Sequence, residues 1–346
     1  MLKPIVVLYN SPMDMEHIGP EIGKLLRAKD RDVTEGRIGW TEFGDREAKC
    51  EIPVSVREAK VYLLHSMFHS EPEKSFFRLL QTLNALSLAS CRDVTVVAPY
   101  MTFMRQDSKD KGREPITAAM VADILRTRPS FRRLITMELH SRQAQGFFGD
   151  RPVDHLEGRL ILAPYFRSVL RKQYGNEFHK MVLVVSPDEG GVKRARKFAK
   201  QLHPSTPVHF MAKERGDCPN DVERLSFGGK PEDVKGKMII VYDDLMDSGK
   251  TTTKAGEALS ELNPVVVYAA AAHAVFSKVD GVTAEERFEK SGMHVVTTNS
   301  IPRDPIWESI NKNWLTVLSA MELLADAIHE TSRPGGSVSA LFDKYK

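Results

Sequence analysis

The chain is poor in cysteine. Its 346 residues include three cysteines, and no two of them form a Cys-x-x-Cys pair. An odd number of widely spaced cysteines excludes a disulfide framework and gives no zinc knuckle. Such cysteine usage is typical of a reducing compartment, so we expect a cytoplasmic protein.

Long apolar runs and a strong excess of one charge are also missing. The longest apolar run, residues 265–272, ends at His273 and is far shorter than the roughly 18 residues that a membrane-spanning helix needs. Lysine and arginine total 49, against 46 aspartate and glutamate residues. Since this balance is not that of a dedicated nucleic-acid-binding protein, we expect neither a membrane nor a nucleic acid as a partner.

What the chain does contain is a regular alternation of two kinds of segment. Short runs rich in Val, Ile and Leu, such as residues 94–100 and 238–244, are apolar at consecutive positions, as strands covered on both faces are. Segments with helical periodicity lie between them. The alternation predicts an α/β protein with mainly parallel sheets, and the strand-like runs suit two sheets of four or five strands.

Two domains are expected from the length, at about 150 residues each. We place them at residues 1–155 and 156–330, because the segment GDRPVD interrupts the alternation near the boundary, and we treat residues 331–346 as a tail. One helix is predicted over residues 314–330, because apolar residues recur there at helical spacing: Trp314, Leu318, Met321, Ala325 and Ile328.

Polar residues follow the carboxyl ends of five consecutive strand-like runs. Charged residues, glycines or a histidine come directly after the runs that end near residues 100, 139, 186, 212 and 242. Ligands of open α/β sheets bind outside the carboxyl ends of the strands. Five such ends in succession predict a composite site for a highly charged ligand.

The segment after the run at 238–242 is the most informative of these. Asp243 and Asp244 are followed by a turn and a predicted helix, and the turn contains Ser248, Gly249, Lys250 and Thr251. Amide groups at a helix start suit a phosphate, and adjacent carboxylates can accept hydrogen bonds from vicinal sugar hydroxyls. The pattern predicts a pocket for a ribose 5-phosphate group. It is not a P-loop, because the first glycine of that motif would fall at Asp244.

Three segments are especially distinctive: residues 99–125, 139–156 and 184–202. They resemble the ribose-phosphate diphosphokinase (PRPP synthetase) family, and the resemblance extends from about residue 43 to residue 276. It implies two tandem phosphoribosyltransferase-like domains, with mainly parallel sheets flanked by helices. It also implies Mg²⁺-dependent transfer of the β,γ-diphosphoryl group of ATP to the C1 hydroxyl of ribose 5-phosphate, which gives PRPP and AMP.

The resemblance implies an ATP site in the first domain. Arg105, Gln106 and Asp107 match the family's Arg-Gln-Asp motif, which contacts ATP. His140 matches a histidine that helps to hold the nucleotide and Mg²⁺, although Glu138 stands where the family has Asp.

A segment nearer the N terminus resembles the family's Phe-Ser-Asp-Gly-Glu sequence. The shared residues are Phe43, Asp45 and Glu47, whereas Gly44 and Arg46 replace the family's Ser and Gly. In the family this segment reaches the adenine from a neighbouring subunit. We therefore expect a homo-oligomer built from dimers, with a hexamer as one option.

The diphosphate and the metal are expected to involve the loop after residue 186. Asp188 corresponds to the family's metal-linked aspartate, so the resemblance implies His140 and Asp188 as the residues linked to Mg²⁺. Gly190 and Gly191 correspond to its diphosphate loop, where glycines let backbone amides approach the phosphates closely.

Lys213 and Arg215 match the family's catalytic Lys and Arg. Two residues apart on an extended segment, they point to the same side and can supply positive charge where charge builds up on the phosphoryl oxygens. Other candidates receive structural interpretations. His65 and His69 are not expected to bind zinc, and the solvated face of a helix is predicted for a basic cluster: Lys193, Arg194, Arg196 and Lys197.

The ribose-phosphate loop itself departs from the family at one position. The residues that correspond to the family's loop are Asp243, Asp244, Asp247, Ser248, Gly249, Lys250 and Thr251. Lys250 replaces a glycine. It is either a tolerated variant or an added charge for a larger 5' substituent, such as the diphosphate of ADP-ribose.

Three functions are compared on these grounds. PRPP synthesis from ATP and ribose 5-phosphate explains every motif. A phosphoribosyltransferase explains the loop at 243–252 but not the Arg-Gln-Asp motif, His140 or the second α/β half. A non-catalytic regulatory subunit of PRPP synthetase is disfavoured, because the catalytic and metal-linked positions all match the family.

Overall fold

The structure is a computed structural model that describes residues 4–11, 18–67, 71–214 and 224–346, with the backbone alone at residues 213, 214 and 224. The chain divides into two compact units. The first comprises Met1–Glu157, Ser300–Arg303 and Ala320–Lys344, and the second comprises Gly158–Asn299, Asp304–Ser319 and Tyr345–Lys346.

Strands and helices alternate in the first unit. Its elements up to the end of the first segment are β1 (Ile5–Tyr9), α1 (Gly19–Arg27), β2 (Val33–Arg37), β3 (Gly39–Glu42), β4 (Ala48–Glu51), β5 (Lys60–Leu64), α2 (Pro72–Leu88), β6 (Asp93–Ala98), α3 (Thr117–Arg126), β7 (Phe131–Met137) and β8 (Val153–Leu156). Six strands form a parallel sheet in the order β2-β1-β5-β6-β7-β8, while β3 and β4 form a separate antiparallel hairpin.

The second unit repeats this pattern with one more strand in its sheet. Its elements are α4 (Arg159–Tyr174), β9 (Val182–Ser186), α5 (Val192–Leu202), β10 (Val208–Glu214), β11 (Arg224–Phe227), β12 (Met238–Met246), α6 (Lys250–Ser260), β13 (Val266–Ala274), α7 (Ala284–Ser291), β14 (His294–Thr298), α8 (Pro305–Asn311) and β15 (Leu315–Leu318). The strand order is β11-β10-β9-β12-β13-β14-β15, and within the described part of this sheet only the β10–β11 pair is antiparallel.

The expectation of mainly parallel sheets is confirmed, but the sheets have six and seven strands instead of four or five. Several of the additional strands are short and polar, such as β2 and β11. A strand at the edge of a sheet has only one neighbour and needs no continuous apolar run. For this reason a search for continuous apolar runs did not find β2 and β11.

The central strands are apolar on both faces because helices cover both. In β12, Ile239 and Val241 lie in one core cluster, whereas Met238, Ile240 and Tyr242 lie in another. Successive side chains of a strand point to opposite faces. The first cluster contains residues of α6 and α7, and the second contains residues of α4 and α5.

The prediction of one helix over residues 314–330 is wrong in its first part. Residues 315–318 form β15, which pairs in parallel with β14, and the helix α9 (Met321–Ser332) begins after it. A short helix, α10 (Leu341–Lys344), ends the described chain. Trp314 and Leu318 do not share a face in the structure: Trp314 lies just before β15 in the core cluster with α6 and α7, whereas Leu318 packs against the cluster with α4 and α5.

Helix α9 belongs to the first unit. Lys29 of the α1 region contacts Asp326 at 2.8 Å, and the hydroxyl groups of Tyr62 and Thr331 lie 3.1 Å apart. The division of the chain by contacts therefore differs from the sequence-based division, which assigned residues up to 330 to the second domain and treated 331–346 as a tail. The physical reason is that the buried face of α9 packs against the first unit.

None of the helices that the structure describes has both the length and the apolarity needed to cross a bilayer.

Candidate active site

The sheet of the second unit changes direction between β9 and β12. These strands are neighbours, but the chain continues from β9 to β10 on one side, and from β12 to β13 on the other. Ligands of open α/β sheets bind outside the carboxyl ends of the strands at such a switch point. Asp188 follows β9, and Asp243 and Asp244 lie near the end of β12, so the structure brings these predicted residues to one edge.

The loop after β9 is compact. The Ser186 hydroxyl donates to the Asp188 carbonyl oxygen at 2.7 Å, and the Gly191 N–H donates to Asp188 Oδ1 at 2.8 Å. A Cβ atom at Gly191 would lie 2.5 Å from Ser186 Oγ, which is too close for an undisturbed side chain. The predicted diphosphate loop, with Gly190 beside Gly191, therefore requires a residue without a side chain at position 191.

The carboxylates of Asp243 and Asp244 are adjacent and largely removed from water. The side chain of Asp243 is 24 % exposed and that of Asp244 only 3 %. Burial, and then the neighbouring charge of Asp244, raise the pKa of Asp243 well above its usual value. Arg194 opposes this shift, because its Nη1 contacts Asp243 Oδ1 at 2.7 Å and Asp244 Oδ1 at 3.1 Å.

Arg194 is a site residue that sequence reasoning missed. It was expected on the solvated face of its helix, but only 21 % of its side chain is exposed. Arg194 precedes Phe198 and Leu202 at intervals of four residues, and both of these are buried. This spacing places Arg194 along the buried stripe of α5 and could have indicated its position. Lys193 and Arg196 of the same cluster are exposed, as expected.

The predicted phosphate loop forms the start of α6. Gly249 precedes the helix with φ +77°, in the left-handed region, and its carbonyl oxygen accepts the Thr253 N–H at 2.8 Å. Gly249 has no side chain to cap this end of α6, and the Ser248 hydroxyl accepts the Lys250 N–H only at 3.5 Å. Amide groups at an uncapped helix start are suited to binding an anion, so the loop that contains Asp247, Ser248 and Thr251 can take a phosphate.

Lys250 lies in the first turn of α6, and its ammonium group forms an ion pair with Asp280. A hydrogen bond to Lys250, and then its charge, lower the pKa of Asp280. The turn that carries Asp280 is held by Arg287, which donates to the carbonyl oxygens of Val279 at 2.7 Å and Val282 at 2.8 Å. The charge of Lys250 is therefore balanced within the second unit.

The two predicted catalytic residues are only partly described. The backbone of Lys213 lies in β10, opposite Leu225 of β11. Arg215 lies outside the described residues.

The predicted ATP motif lies in the first unit, after β6. The Gln106 carbonyl oxygen accepts the Ala118 N–H at 3.1 Å, and the Thr117 hydroxyl donates to Gln106 Oε1 at 2.5 Å. These contacts tie the loop to the start of α3. Arg105 is exposed and Asp107 is half-buried. Both side chains therefore remain accessible to solvent beside an anchored neighbour.

His140 follows β7, which is the neighbour of β6 in the sheet, so it emerges at the same edge as the motif. Glu138 before it adopts φ +36°, and its N–H donates to the Leu156 carbonyl oxygen at 2.8 Å. The Leu139 N–H donates to His155 Nε2 at 2.9 Å. The segment is therefore fixed to β8, while His140 itself is exposed.

Phe43, Asp45 and Glu47 lie at the tip of the β3–β4 hairpin. The Phe43 N–H donates to the Glu47 carbonyl oxygen at 2.7 Å, and the Glu47 N–H donates to Asp45 Oδ1 at 3.0 Å. Gln81 of α2 holds the hairpin through a 2.7 Å hydrogen bond to the Ala48 carbonyl oxygen. The Phe43 side chain is 49 % exposed and is available for contact.

The described residues contain no group of three or more His, Cys, Asp or Glu side chains arranged to hold a metal ion. Asp188 and His140, the expected metal-linked residues, belong to different units. A single carboxylate still suits Mg²⁺, which commonly binds one or two carboxylates together with water and substrate phosphates. The residues present therefore fit a metal that is completed by a phosphate ligand.

His65 belongs to a buried hydrogen-bond network. Its Nδ1 lies 2.8 Å from the Asn10 side-chain nitrogen, and its Nε2 lies 3.3 Å from the Ser75 hydroxyl. Both ring nitrogens are thus engaged, as a structural histidine requires. His69 lies outside the described residues.

Comparison with known proteins covers most of the chain. A family model of the N-terminal domain of ribose phosphate pyrophosphokinase matches residues 17–128, and a phosphoribosyl transferase domain model matches residues 166–304. The chain is similar to ribose-phosphate pyrophosphokinase of Caldanaerobacter subterraneus, with 40 % identity over 94 % of each chain. It is similar to ribose-phosphate pyrophosphokinase 1 of Listeria monocytogenes, with 37 % identity over 91 % of this chain and 92 % of that one.

A solved structure shows the same similarity. The crystal structure of phosphoribosylpyrophosphate synthetase from Mycobacterium smegmatis superimposes with a TM-score of 0.75 and 32 % identity, over 95 % of this chain and 99 % of that chain. The expected fold of two phosphoribosyltransferase-like domains with mainly parallel sheets is thereby confirmed. Two family models, near-complete relatives and a full-length structural match agree, and the chain belongs to the ribose-phosphate pyrophosphokinase family of enzymes.

Proposed function

We propose that this enzyme transfers the β,γ-diphosphoryl group of ATP to the C1 hydroxyl of ribose 5-phosphate, with Mg²⁺, and releases PRPP and AMP. One observation carries the proposal. The adjacent carboxylates of Asp243 and Asp244, the second of them buried, lie on β12, and the start of α6, where Gly249 offers no capping side chain, is the next element at the switch point of the second sheet. They offer acceptors for sugar hydroxyls and donors for a phosphate.

The acceptor would bind at this junction. Asp243 and Asp244 would accept hydrogen bonds from the ribose hydroxyls. The 5'-phosphate would lie against the amide groups of the loop at 247–251, where the helix dipole also favours an anion. Asp247, Ser248, Gly249, Lys250 and Thr251 are the proposed phosphate-binding residues.

In the first unit the proposed ATP-binding residues are Phe43, Asp45, Glu47, Arg105, Gln106, Asp107 and His140. In the second unit the diphosphoryl group would lie against the loop at Gly190 and Gly191, where glycines let a phosphate approach the backbone closely.

Transfer forms a bond between the C1 hydroxyl oxygen and the β-phosphorus and breaks the bond from that phosphorus to the α-phosphate oxygen. Such a reaction depends on alignment and on positive charge around the phosphoryl oxygens. We assign this charge to Lys213 and Arg215. Bound Mg²⁺ would neutralise charge on the ATP phosphates, and Asp188 and His140 are the residues proposed to lie beside it.

The hairpin tip with Phe43 is proposed to act in a homo-oligomer. Its aromatic ring is about half exposed in the single chain and would be covered by the adenine site of a neighbouring subunit. A dimer-based assembly, with a hexamer as one option, follows from this proposal.

Ribose 5-phosphate is favoured over ADP-ribose as the acceptor. The larger acceptor was considered because Lys250 adds a charge to the loop. The single phosphate of ribose 5-phosphate is enough to take Lys250 from its exposed partner Asp280, so Lys250 supplies no further charge for a second phosphate. ADP-ribose is therefore included as an alternative acceptor in the assay of AMP release.

The decisive measurement is AMP release from ATP and Mg²⁺ in the presence of ribose 5-phosphate, ADP-ribose or no acceptor. Release that depends on ribose 5-phosphate is expected. Release mainly with ADP-ribose would reassign the acceptor, and release with neither would contradict the proposed reaction.

Lys213→Ala tests whether Lys213 supplies positive charge to the phosphoryl oxygens during transfer. Loss of one preorganised group that stabilises a transition state typically lowers kcat by about 10²–10³-fold. Lys235→Ala is the matched control, because Lys235 is an exposed lysine of the same unit. Equal rates for the two variants would show that Lys213 does not act in the transfer.

A further inference from the structure

Arg194 makes a contact that its place on a helix does not require for folding. Its Nη1 lies within hydrogen-bond distance of two different carboxylates, at 2.7 Å from Asp243 Oδ1 and at 3.1 Å from Asp244 Oδ1. The arginine comes from α5, whereas both carboxylates belong to β12. The contact thus joins the two elements that meet at the switch point of the second sheet.

The carboxylates have a strong need for such a partner. The Asp244 side chain is 3 % exposed, and Asp243 directly precedes it. Two adjacent carboxylates that are withdrawn from water repel each other, and without a cation they would share a proton. A protonated carboxyl has one oxygen fewer to accept a hydrogen bond.

The arrangement also fixes where the carboxylate oxygens point. Asp243 Oδ1 accepts the Asp244 N–H at 2.9 Å in addition to the guanidinium of Arg194. The same atom is thus held from two directions. A pair held in this way is ready to receive two neighbouring hydroxyls without first reorganising.

We propose that Arg194 is a positioning residue for the sugar acceptor: it holds the carboxyl groups of Asp243 and Asp244 side by side, so that both accept hydrogen bonds from the ribose hydroxyls. This inference rests on the proposed function, because it presumes that a ribose phosphate binds at β12. Arg194 itself does not contact the reacting atoms in this account. A merely structural ion pair would stabilise α5 against β12 and would leave ribose 5-phosphate affinity unchanged once the protein is folded.

Direct binding separates the two roles. The dissociation constant of ribose 5-phosphate is measured by calorimetry on the full chain, without turnover, for Arg194→Met, Arg194→Lys and the wild type. A hydrogen-bonded charge is worth enough that Arg194→Met should weaken ribose 5-phosphate binding by about 10–100-fold. Arg194→Lys should recover part of this loss, because an ammonium restores the charge but not the planar fork.

Steady-state kinetics give a second readout. In Arg194→Met the KM for ribose 5-phosphate should rise while the KM for ATP stays within about twofold of the wild type. Arg196→Met is the matched control, because Arg196 is an exposed arginine on the same helix. It should leave both constants unchanged.

A folding defect is handled by a double variant. If Arg194→Met is unstable, Arg194→Met with Asp243→Asn removes one of the two buried charges and should restore stability without restoring ribose 5-phosphate affinity. Wild-type affinity in a folded Arg194→Met, or equal affinity of the double variant and of Asp243→Asn alone, would overturn the positioning role and leave the proposed function intact. If the wild type neither binds nor converts ribose 5-phosphate, the proposed function fails, and this inference fails with it.

Discussion

Replacement of Gly249 by alanine tests the geometry of the proposed phosphate loop. Gly249 adopts φ +77°, in the left-handed region. A Cβ atom there would lie 3.0 Å from Phe288 Cε2. Phe288 is fully buried, and its ring centroid lies 5.4 Å from that of Phe276 and 6.1 Å from that of Trp314. The ring therefore has little room to move away.

Two separate costs follow from this geometry. A side chain in the left-handed region costs about 1–2 kcal/mol. Forcing an additional carbon against a packed ring costs about 1–3 kcal/mol more. Gly249→Ala should therefore lower the free energy of unfolding of the second unit by about 2–5 kcal/mol, and it should weaken phosphate binding because the start of α6 must shift.

Gly236→Ala isolates the second cost. Gly236 has φ +70° in the same unit, and a Cβ atom there would meet no other atom within 4 Å. The two variants share the backbone strain and differ in the contact with Phe288. Their melting temperatures, measured by calorimetry, should thus differ by roughly 2–12 °C, which corresponds to about 1–3 kcal/mol in a unit of this size.

Phe288→Leu gives the complementary measurement. The smaller side chain removes the ring atoms that a Cβ at position 249 would meet. In a double-mutant cycle, Gly249→Ala should cost less in the Phe288→Leu background than in the wild type. Equal melting temperatures for Gly249→Ala and Gly236→Ala would refute the reasoning, because the contact between a Cβ at position 249 and the Phe288 ring would then not destabilise the protein.

Three further outcomes are expected. Asp280→Asn should free the charge of Lys250 and raise the rate with ADP-ribose relative to ribose 5-phosphate, measured as a ratio of AMP release. Because Lys250 lowers the pKa of Asp280, the ion pair is complete at neutral pH and is lost only as the pH falls through that lowered value, so this effect of Asp280→Asn should disappear in acid. Gly191→Ala should lower kcat, measured as AMP release with ribose 5-phosphate, because its Cβ would lie 2.5 Å from Ser186 Oγ. Asp326→Asn should destabilise the first unit by about 1–2 kcal/mol in thermal unfolding, because two lysine ammonium groups lose a buried carboxylate.

The fold could be predicted from the sequence wherever the hydrophobic pattern allowed only one interpretation. Consecutive apolar residues in β12 are explained by helices on both faces of the sheet, and the structure has them. The pattern failed where two interpretations share it. Residues 315–318 lie inside a segment that also fits helical spacing, and the pairing of β15 with β14 made them a strand. A local pattern of apolar residues does not show which distant strand a segment pairs with.

The candidate site was predicted to a similar degree. Asp188 and Asp243 were expected at one edge of the sheet because parallel strands end there, and the structure places the first after β9 and the second near the end of β12. Partners that come from elsewhere in the chain were not found. Asp280 lies 30 residues from Lys250, and Arg194 lies 49 residues from Asp243. Their roles depend on which elements pack together, and single-residue spacing does not encode that.

These two partners differ in a way that bears on the proposed acceptor site. Asp244 is 3 % exposed beside Arg194, whereas Asp280 is 74 % exposed beside Lys250. A solvent-exposed ion pair contributes little stability, because solvent screens it. Breaking a buried ion pair costs much more, because it leaves a charge without its partner in the protein interior. A phosphate dianion can therefore take Lys250 from Asp280, but no ligand can displace Arg194 from the carboxylates at a comparable cost. The sugar end of the site is thus fixed before substrate arrives, and the phosphate end adjusts on binding.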